Sequence, residues 1–454
     1  MSMSRHFKTV NYQEALQITV RLDDCLPQEH LSRFIADVVE DLDLSAFYAR
    51  YGTRGAAPYA PEILLALLVY AYANGVFSSR KIEQACRDNV PYRFLAGNLT
   101  PDHDTLANFR KTFLPQLQDL FVQVLLLATE MGLLKVGTIS LDGSKIHADA
   151  SKSKAVSYKR LQEIQAKLTQ EVQQLLALAE SADRSALPEG MDLPKEIARR
   201  EERLARLAEA KGVLEARAAE RVAIEQAEYE AKMRERDDKQ QRTGKKSTGK
   251  PPSPPTPGPR DKDQYNFTDP DSRIMKNSRD DGCDQHYNVQ AAASHASLFI
   301  VGASLSNHAT DQYEVAPTLA NISPKVGTPT AAALDFGFMS AANVTTLEQA
   351  HIEPYIATGR ADHADGWQGY FAETGPVPPE EATLREKMAY KLRTPLGKEI
   401  YRRRKCTIEP VFGIIKEVLG FRQFSLRGLA SATGEWLLVC LAYNLRRLHV
   451  LTNA

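Results

Sequence analysis

The chain has 454 residues, equal numbers of acidic and basic side chains and a hydrophobic fraction of 43%, a composition typical of a soluble globular protein with more than one domain. Its five cysteines are scattered without a CxxC pair, which argues against a zinc ribbon or a disulfide framework and suits a reducing compartment. No apolar signal core opens the chain and no window approaches 18 apolar residues, so we expect a cytoplasmic protein without membrane contact.

The first predicted region, residues 1–130, is helical. Apolar residues recur at helical spacing over 29–42, and a second apolar helix begins at Pro61 and stops at Gly75. The next helix carries Arg80, Lys81 and Arg87, which is compatible with a helix-turn-helix that reads DNA. Many helical domains share this layout, so an ordinary helical domain is the alternative.

A strand follows over 136–146. Its side chains alternate in polarity and it ends in Asp142-Gly143, which predicts an acid at the tip of a strand. His147 and Asp149 lie nearby and are interpreted as polar strand or loop residues.

Residues 153–240 read as a helical hairpin inserted into the fold, because leucines and isoleucines step by three or four among dense Glu and Arg. The Pro, Gly and Lys-rich segment 241–262 predicts a disordered linker. Within it, residues 244–250 have P-loop spacing, but Pro251 stands where a magnesium-binding Ser or Thr is required. We therefore reject a nucleotide-binding loop.

Strands dominate from residue 284. The segments 284–294 and 296–306 predict a hairpin and 308–322 a helix. An apolar strand then ends in Asp335, and a short helix, a strand over 351–357, a loop over 360–400 and an apolar closing helix follow.

The net charge of zero conceals a basic region, since residues 385–427 contain twelve Lys or Arg and only four Asp or Glu. Clustering of this kind marks a surface for a polyanion. Inside it, the stretch YRRRKCTIEPVFGIIK (401–416) surrounds Glu409 with cations. At 100° per residue, Glu409 and Lys416 fall within about 20° of each other on the flank of an apolar stripe.

The order of elements brings three acids to one sheet edge: Asp142 and Asp335 at strand ends and Glu409 on a following helix. Three carboxylates without His or Cys suit Mg²⁺, with Mn²⁺ as a substitute. Taken singly, each acid has a simpler explanation: Asp142 and Asp335 as turn formers and Glu409 as a solvated ion-pair partner.

At this point the sequence resembles a bacterial insertion-sequence transposase of the DDE type. The segments LDGSKIHADAS (141–151), FTDPDSRIMKNS with QHYNVQAAAS, and ALDFGFMSAANV resemble parts of that family, with Phe338 in place of the usual tyrosine. The stretch 401–416 resembles its Tyr-Arg-Glu-Lys signature, although Tyr401 stands eight rather than seven residues before Glu409.

The resemblance implies an α/β fold with an RNase H-like mixed sheet core, a helical N-terminal domain and the helical-hairpin insertion. The core would comprise residues 131–152 and 263–454. The resemblance also implies Asp142, Asp335 and Glu409 as catalytic metal ligands for Mg²⁺. The expected contacts to the DNA ends are Tyr401, Arg402, Arg404, Lys405 and Lys416, and Arg402, Arg404 and Lys405 remain alternatives for the signature arginine.

The activity that follows is metal-dependent cleavage at the ends of a mobile element and strand transfer to target DNA, by a protein that is a homodimer in the synaptic complex. Two alternatives stay open: a nuclease of the same fold that cuts without joining, and a domesticated DNA-binding protein that no longer catalyses.

Overall fold

The computed structural model describes residues 21–52, 58–182, 192–243, 251–277, 282–359 and 375–453. The helices are α1 (Leu31–Asp41), α2 (Ser45–Tyr48), α3 (Pro61–Ala73), α4 (Ser79–Asp88), α5 (Val90–Leu95), α6 (His103–Phe113), α7 (Leu117–Glu130), α8 (Tyr158–Ala182), α9 (Leu193–Thr243), α10 (Val315–Ala320), α11 (Ala341–Gln349), α12 (Leu384–Arg393), α13 (Pro395–Gly413) and α14 (Leu429–Thr452). The strands are β1 (Thr138–His147), β2 (Ala155–Ser157), β3 (Gln264–Asn266), β4 (Arg273–Lys276), β5 (Cys283–Ser294), β6 (Ile300–Ser306), β7 (Ala331–Leu334) and β8 (Glu353–Ile356).

A mixed six-stranded sheet forms the centre of the fold. β5 pairs antiparallel with β1 on one side and with β6 and β4 on the other, while β7 and β8 run parallel to β1. The short parallel strand β7 is buried throughout, as expected for a strand covered on both faces. Four strands joined by antiparallel pairing (β4, β6, β5 and β1) and two parallel strands beside β1 (β7 and β8) give the α/β, RNase H-like core that the sequence predicts, and this prediction is confirmed.

The first strand continues past Asp142. β1 pairs with β5 from Ile139 to His147, so Asp142 lies within the strand rather than at its tip. The Asp142-Gly143 pair reads as a turn in the sequence, but Gly143 is paired opposite Gln290. The parallel pairing with β7 ends at Ser140, so Asp142 lies just beyond the end of that neighbour.

The N-terminal helices share one hydrophobic core with the sheet, α13 and α14. α3 is buried almost completely, and α7 packs against α14. The chain turns after α3 at Gly75, whose φ is +75° and where a Cβ would lie 2.5 Å from the carbonyl oxygen of Leu419. Only glycine allows this close approach between the N-terminal helices and the chain that follows α13.

Among the described residues, the stretch His103–Glu130 is long and apolar enough to cross a membrane by length and composition alone. This is weak evidence, because core helices of soluble proteins meet the same criterion. Here the stretch is divided into α6 and α7 by a 3-10 turn that contains Pro115, and Leu120, Phe121 and Val124 are buried in the core.

α8 and α9 pack antiparallel around a small core of their own, which contains Leu161, Leu168, Leu207, Leu214 and Tyr265. Of the segment predicted to be disordered, residues 251–262 have a described conformation beside α9. Arg221 donates to the carbonyl oxygen of Gly258 at 2.8 Å, and Arg260 donates to Glu225 at 2.7 Å. The P-loop-like residues 244–250 lie outside the described part of the chain.

Two local predictions are wrong. The predicted loop 360–400 contains α12, which begins with a capping box between Thr383 and Glu386, and the start of α13 at Pro395. The predicted helix 308–322 is reduced to a 3-10 turn, Asp311–Tyr313, and the six residues of α10. The Asp311 side chain is bound to Asn288 and Gln290 of β5.

A buried carboxylate joins three parts of the chain. Glu435 of α14 is fully buried and accepts hydrogen bonds from Tyr72 Oη and from the backbone N–H groups of Ser425 and Leu426, each at 2.9 Å. Arg110 lies 3.8 Å from Glu435 and donates to Tyr72 Oη at 2.8 Å. The N-terminal helices, the loop after α13 and α14 are therefore held by one polar network.

We expect Glu435→Ala to lower the free energy of unfolding by about 3–5 kcal/mol, because it leaves the Arg110 guanidinium and three donors buried without their acceptor. Urea denaturation measures the change. Glu348→Gln on the exposed surface of α11 is the matched control and is expected to leave the midpoint unchanged. Equal midpoints for wild type and Glu435→Ala would contradict the structural role of this network.

Candidate active site

Asp142 and Asp335 lie side by side where β7 ends. The register of β1 with β7 pairs Ser140 with Ala333, and Asp335 directly follows β7. Asp335 caps a 3-10 turn, and its Oδ1 accepts a hydrogen bond from the Gly337 N–H at 2.8 Å. Two carboxylates from neighbouring parallel strands therefore meet at one sheet edge.

Burial and neighbouring charges perturb the pKa values of both acids. Burial raises the pKa of Asp142 to about 6, the Arg404 guanidinium acts in the opposite direction, and the Asp335 charge raises the pKa further. Burial also raises the pKa of Asp335, against the effect of Arg404. The site therefore holds more negative charge than its desolvated surroundings favour.

Arg404 of α13 supplies a positive charge to this pair. Its Nη1 donates to Asp142 Oδ2 at 2.8 Å, and only 10% of the Arg404 side chain is exposed. The guanidinium lies 5.9 Å from the ring centroid of the half-buried Tyr401. Arg404 Nε is buried without a hydrogen-bond partner in the described structure. Arg402 and Lys405, by contrast, are exposed on α13.

Glu409 is exposed on α13, and within the described residues no hydrogen bond or ion pair joins it to the two aspartates. Across the same residues, no three carboxylate, imidazole or thiolate side chains lie close enough together to hold one metal ion. The assignment of Glu409 as the third acid therefore stays a prediction.

The helix that carries Glu409 continues past Pro410 and ends in a π-helical turn, Ile414–Val418. Lys416 lies in this turn and contacts the Ser144 hydroxyl, two residues after Asp142 on the same face of β1. Burial lowers the pKa of Lys416. Arg404 and Lys416 therefore bracket Glu409 on α13 and its π-helical extension, and both contact β1.

The sequence analysis missed Asp311. Its Oδ1 accepts hydrogen bonds from Asn288 Nδ2 at 2.8 Å and Gln290 Nε2 at 2.7 Å, and its charge raises the pKa of Asp335. Asp311 was hidden because its segment reads as part of a helix. Gly143 was the available signal, since a glycine inside a strand indicates close approach by another group.

His147 and Asp149 have structural partners. The His147 ring stacks near that of His286, with centroids 4.3 Å apart, and Asp149 accepts a hydrogen bond from Arg427 at 2.8 Å. Neither residue contacts the paired aspartates.

The paired aspartates fit a hard divalent cation such as Mg²⁺ or Mn²⁺. Their donor atoms are carboxylate oxygens, which such ions prefer, and a positive charge relieves the repulsion that raises the pKa of both acids. The Arg404 guanidinium supplies a positive charge next to Asp142. Asp142 and Asp335 would hold the ion, and Glu409 is the acid on the facing helix.

Asp335→Asn tests whether the negative charge of the buried aspartates destabilises the metal-free fold. A raised carboxyl pKa means that ionisation costs folding free energy, and this cost develops as pH rises from the ordinary carboxyl range through the raised pKa. Asparagine keeps the acceptor for Gly337, so we expect the metal-free variant to melt about 1–3 °C above wild type at pH 8. The difference in melting temperature between the variant and wild type should shrink as the pH is lowered toward 4.

Thermal unfolding with a chelator present measures both conditions. Glu348→Gln, which removes an exposed charge, should show no such gain. A melting temperature for Asp335→Asn below that of wild type at pH 8 would show that the carboxylate stabilises the metal-free fold.

Two family models match the chain. Residues 20–112 match a transposase domain (DUF772), and residues 377–449 match a transposase DDE domain. The second match contains Tyr401, Arg404, Glu409 and Lys416, whereas Asp142 and Asp335 lie in the unmatched middle of the chain. No curated protein and no solved structure matches significantly.

Proposed function

Because the chain belongs to the insertion-sequence DDE transposases, we propose that it cleaves phosphodiester bonds at the ends of its element and joins those ends to target DNA. The observation that carries this proposal is the meeting of Asp142 and Asp335 at the end of β7, with α13 and its basic residues across them. The family implies DNA binding and a DNA-cleaving enzyme. The chemistry at these residues is our proposal.

Asp142, Asp335 and Glu409 are the proposed catalytic acids and metal ligands. DDE transposases generally use divalent metals, and such an ion, when bound, would activate the attacking oxygen and stabilise the leaving oxygen of the phosphodiester. Asp142 and Asp335 fix the ion-binding position from the sheet. Glu409, whose side chain is exposed on α13, would complete the set when DNA binds.

The cations of α13 and the π-helical turn are the proposed contacts to the DNA ends. Arg402 and Lys405 are exposed and free to meet phosphates in solution. Arg404 takes the role of the signature arginine: it is buried beside Tyr401 and paired with Asp142, and its guanidinium could bind a phosphate if a metal ion took its place at Asp142. Lys416 reaches the same edge of β1 from the next part of the helix.

The remaining regions have proposed roles in assembly. Joining two element ends requires two active sites, so we expect a homodimer in the synaptic complex. The α8–α9 hairpin has its own small core, which suits a role in dimerisation or in gripping the element ends. The exposed Arg80 and Lys81 of α4 are candidates for DNA contact by the N-terminal domain. The family suggests a soluble cytoplasmic protein.

Asp142→Asn and Glu409→Gln should each reduce cleavage of element-end DNA by about a thousandfold or more, because each removes a carboxylate that supports the metal ion. Binding to the same DNA should persist, since neither change removes a cation. Gel-based cleavage and mobility-shift assays measure the two effects, with Glu348→Gln as control. Normal cleavage by either variant would refute the assignment of that acid.

A strand-transfer assay with pre-cut ends separates a transposase from a nuclease of the same fold. We expect the ends to be joined to a target duplex in the presence of Mg²⁺. Cleavage of intact ends without joining would favour the nuclease, and DNA binding without either reaction would favour a domesticated binding protein.

A further inference from the structure

Asp311 lies against the residue that follows Asp142. A Cβ at Gly143 would lie 2.3 Å from Asp311 Oδ1 and 2.4 Å from Gln290 Nε2, so the carboxylate and the amide occupy the space that a side chain would fill. Gln290 is the β5 partner of Gly143 in the strand register. The missing side chain therefore lets a carboxylate from the loop before α10 touch β1.

The same carboxylate also faces the turn that carries Asp335. Asp311 Oδ2 would lie 3.7 Å from a Cβ at Gly337, whose N–H binds Asp335 Oδ1. The 3-10 turn that begins at Asp311 packs against the 3-10 turn that Asp335 caps. Asp311 therefore approaches the site from the face of the sheet opposite to α13, where α10 and α11 pack.

Buried amides hold this third carboxylate in place. Asn288 and Gln290 are 2% and 0% exposed, and both donate to Asp311 Oδ1. Gln290 Oε1, on the amide group that binds Asp311, has no hydrogen-bond partner in the described structure. A buried, unpartnered oxygen beside these carboxylates indicates an additional donor or cation at this position.

The carboxylate is accessible from solvent. An open cavity of ≈ 250 Å³ is lined by Asp311, Gly143 and Ser144, together with Lys145 and Lys276. Water or an ion can therefore reach Asp311 without a change of backbone.

We propose that Asp311 is a fourth acid of the active site, a positioning residue that strengthens the binding of a divalent cation by Asp142 and Asp335. The proposal rests on the proposed metal-dependent function. Asp311 acts through Asp335: its fixed negative charge adds to the attraction for a cation, and its contact with Gly143 and the Gly337 turn holds the two strand ends in place. Carboxylates of this kind raise metal affinity without forming part of the ion's coordination shell.

Asp311→Asn is the decisive variant, because asparagine keeps an Oδ1 acceptor for Asn288 and Gln290 and removes only the charge. Mn²⁺ alone is titrated into the full chain and free Mn²⁺ is measured by electron paramagnetic resonance. We expect the dissociation constant to rise about three- to tenfold, as a neighbouring charge in a partly buried site predicts. Glu348→Gln, an exposed acid of α11, should leave the constant unchanged.

Cleavage provides the second measurement. The Mg²⁺ concentration for half-maximal cleavage should rise by the same factor in Asp311→Asn, while the rate at saturating Mg²⁺ stays close to wild type. A purely structural role would lower the rate without moving the metal dependence, and that result would overturn the proposal. Gly143→Ala, which pushes the carboxylate away, should shift the Mn²⁺ constant in the same direction and replaces Asp311→Asn if that variant does not fold.

The two proposals fail in different ways. A wild-type chain that binds Mn²⁺ but does not cleave element-end DNA would contradict the proposed function. An Asp311→Asn variant that binds Mn²⁺ as tightly as a cleavage-competent wild type would contradict only the role of Asp311.

Discussion

Glu435 holds the loop between α13 and α14 in place, and the position of α13 over the candidate site depends on that loop. Its carboxylate binds the backbone of Ser425 and Leu426 and, through Tyr72, the N-terminal helices. The segment just before, Arg422–Phe424, pairs with the end of β1 through hydrogen bonds between His147 and the backbone of Arg422 and Phe424. One buried acid thus links the two ends of the chain to the strand that carries Asp142.

This arrangement explains why α13 lies across the acids rather than in solvent. The apolar residues Ile408, Val411 and Ile415 anchor its buried face. With the helix end held by the loop after Leu419, Arg404 and Lys416 are directed at β1. A fixed helix above two strand-borne acids gives both the negative centre and the positive surroundings that phosphodiester chemistry requires.

The sequence was sufficient for the parts of the fold that depend on local pattern. The segments 284–294 and 296–306 predict the hairpin of β5 and β6, the apolar run predicts β7, and the acid directly after β7 is Asp335. The sequence was insufficient where contacts between distant segments determine the local structure. Gly143 reads as a turn, and only its pairing with β5 makes it part of a strand. α12 was missed although Thr383 and Glu386 form a readable capping signal, because its hydrophobic pattern is weak.

Some features of the candidate site could likewise be predicted from the sequence, and others could not. The adjacency of Asp142 and Asp335 follows from strand order and could be predicted. The ion pair of Arg404 with Asp142, and the approach of Asp311 to Gly143, depend on side chains brought together by the fold and have no signature in local spacing. The exposed position of Glu409 also differs from the convergence that the sequence predicts, and DNA binding is the proposed event that completes it.

We propose, as the central point, that Asp142, Asp335 and Glu409 together bind a divalent cation when the protein is bound to a DNA end. A structure of the chain bound to an element end with Ca²⁺, which takes the same kind of oxygen ligands as Mg²⁺, tests it most directly. We expect carboxylate oxygens of all three residues within about 2.6 Å of bound Ca²⁺, with Arg404 moved from Asp142 to a phosphate. Ca²⁺ bound by other residues, or Glu409 still exposed and away from the ion, would contradict it.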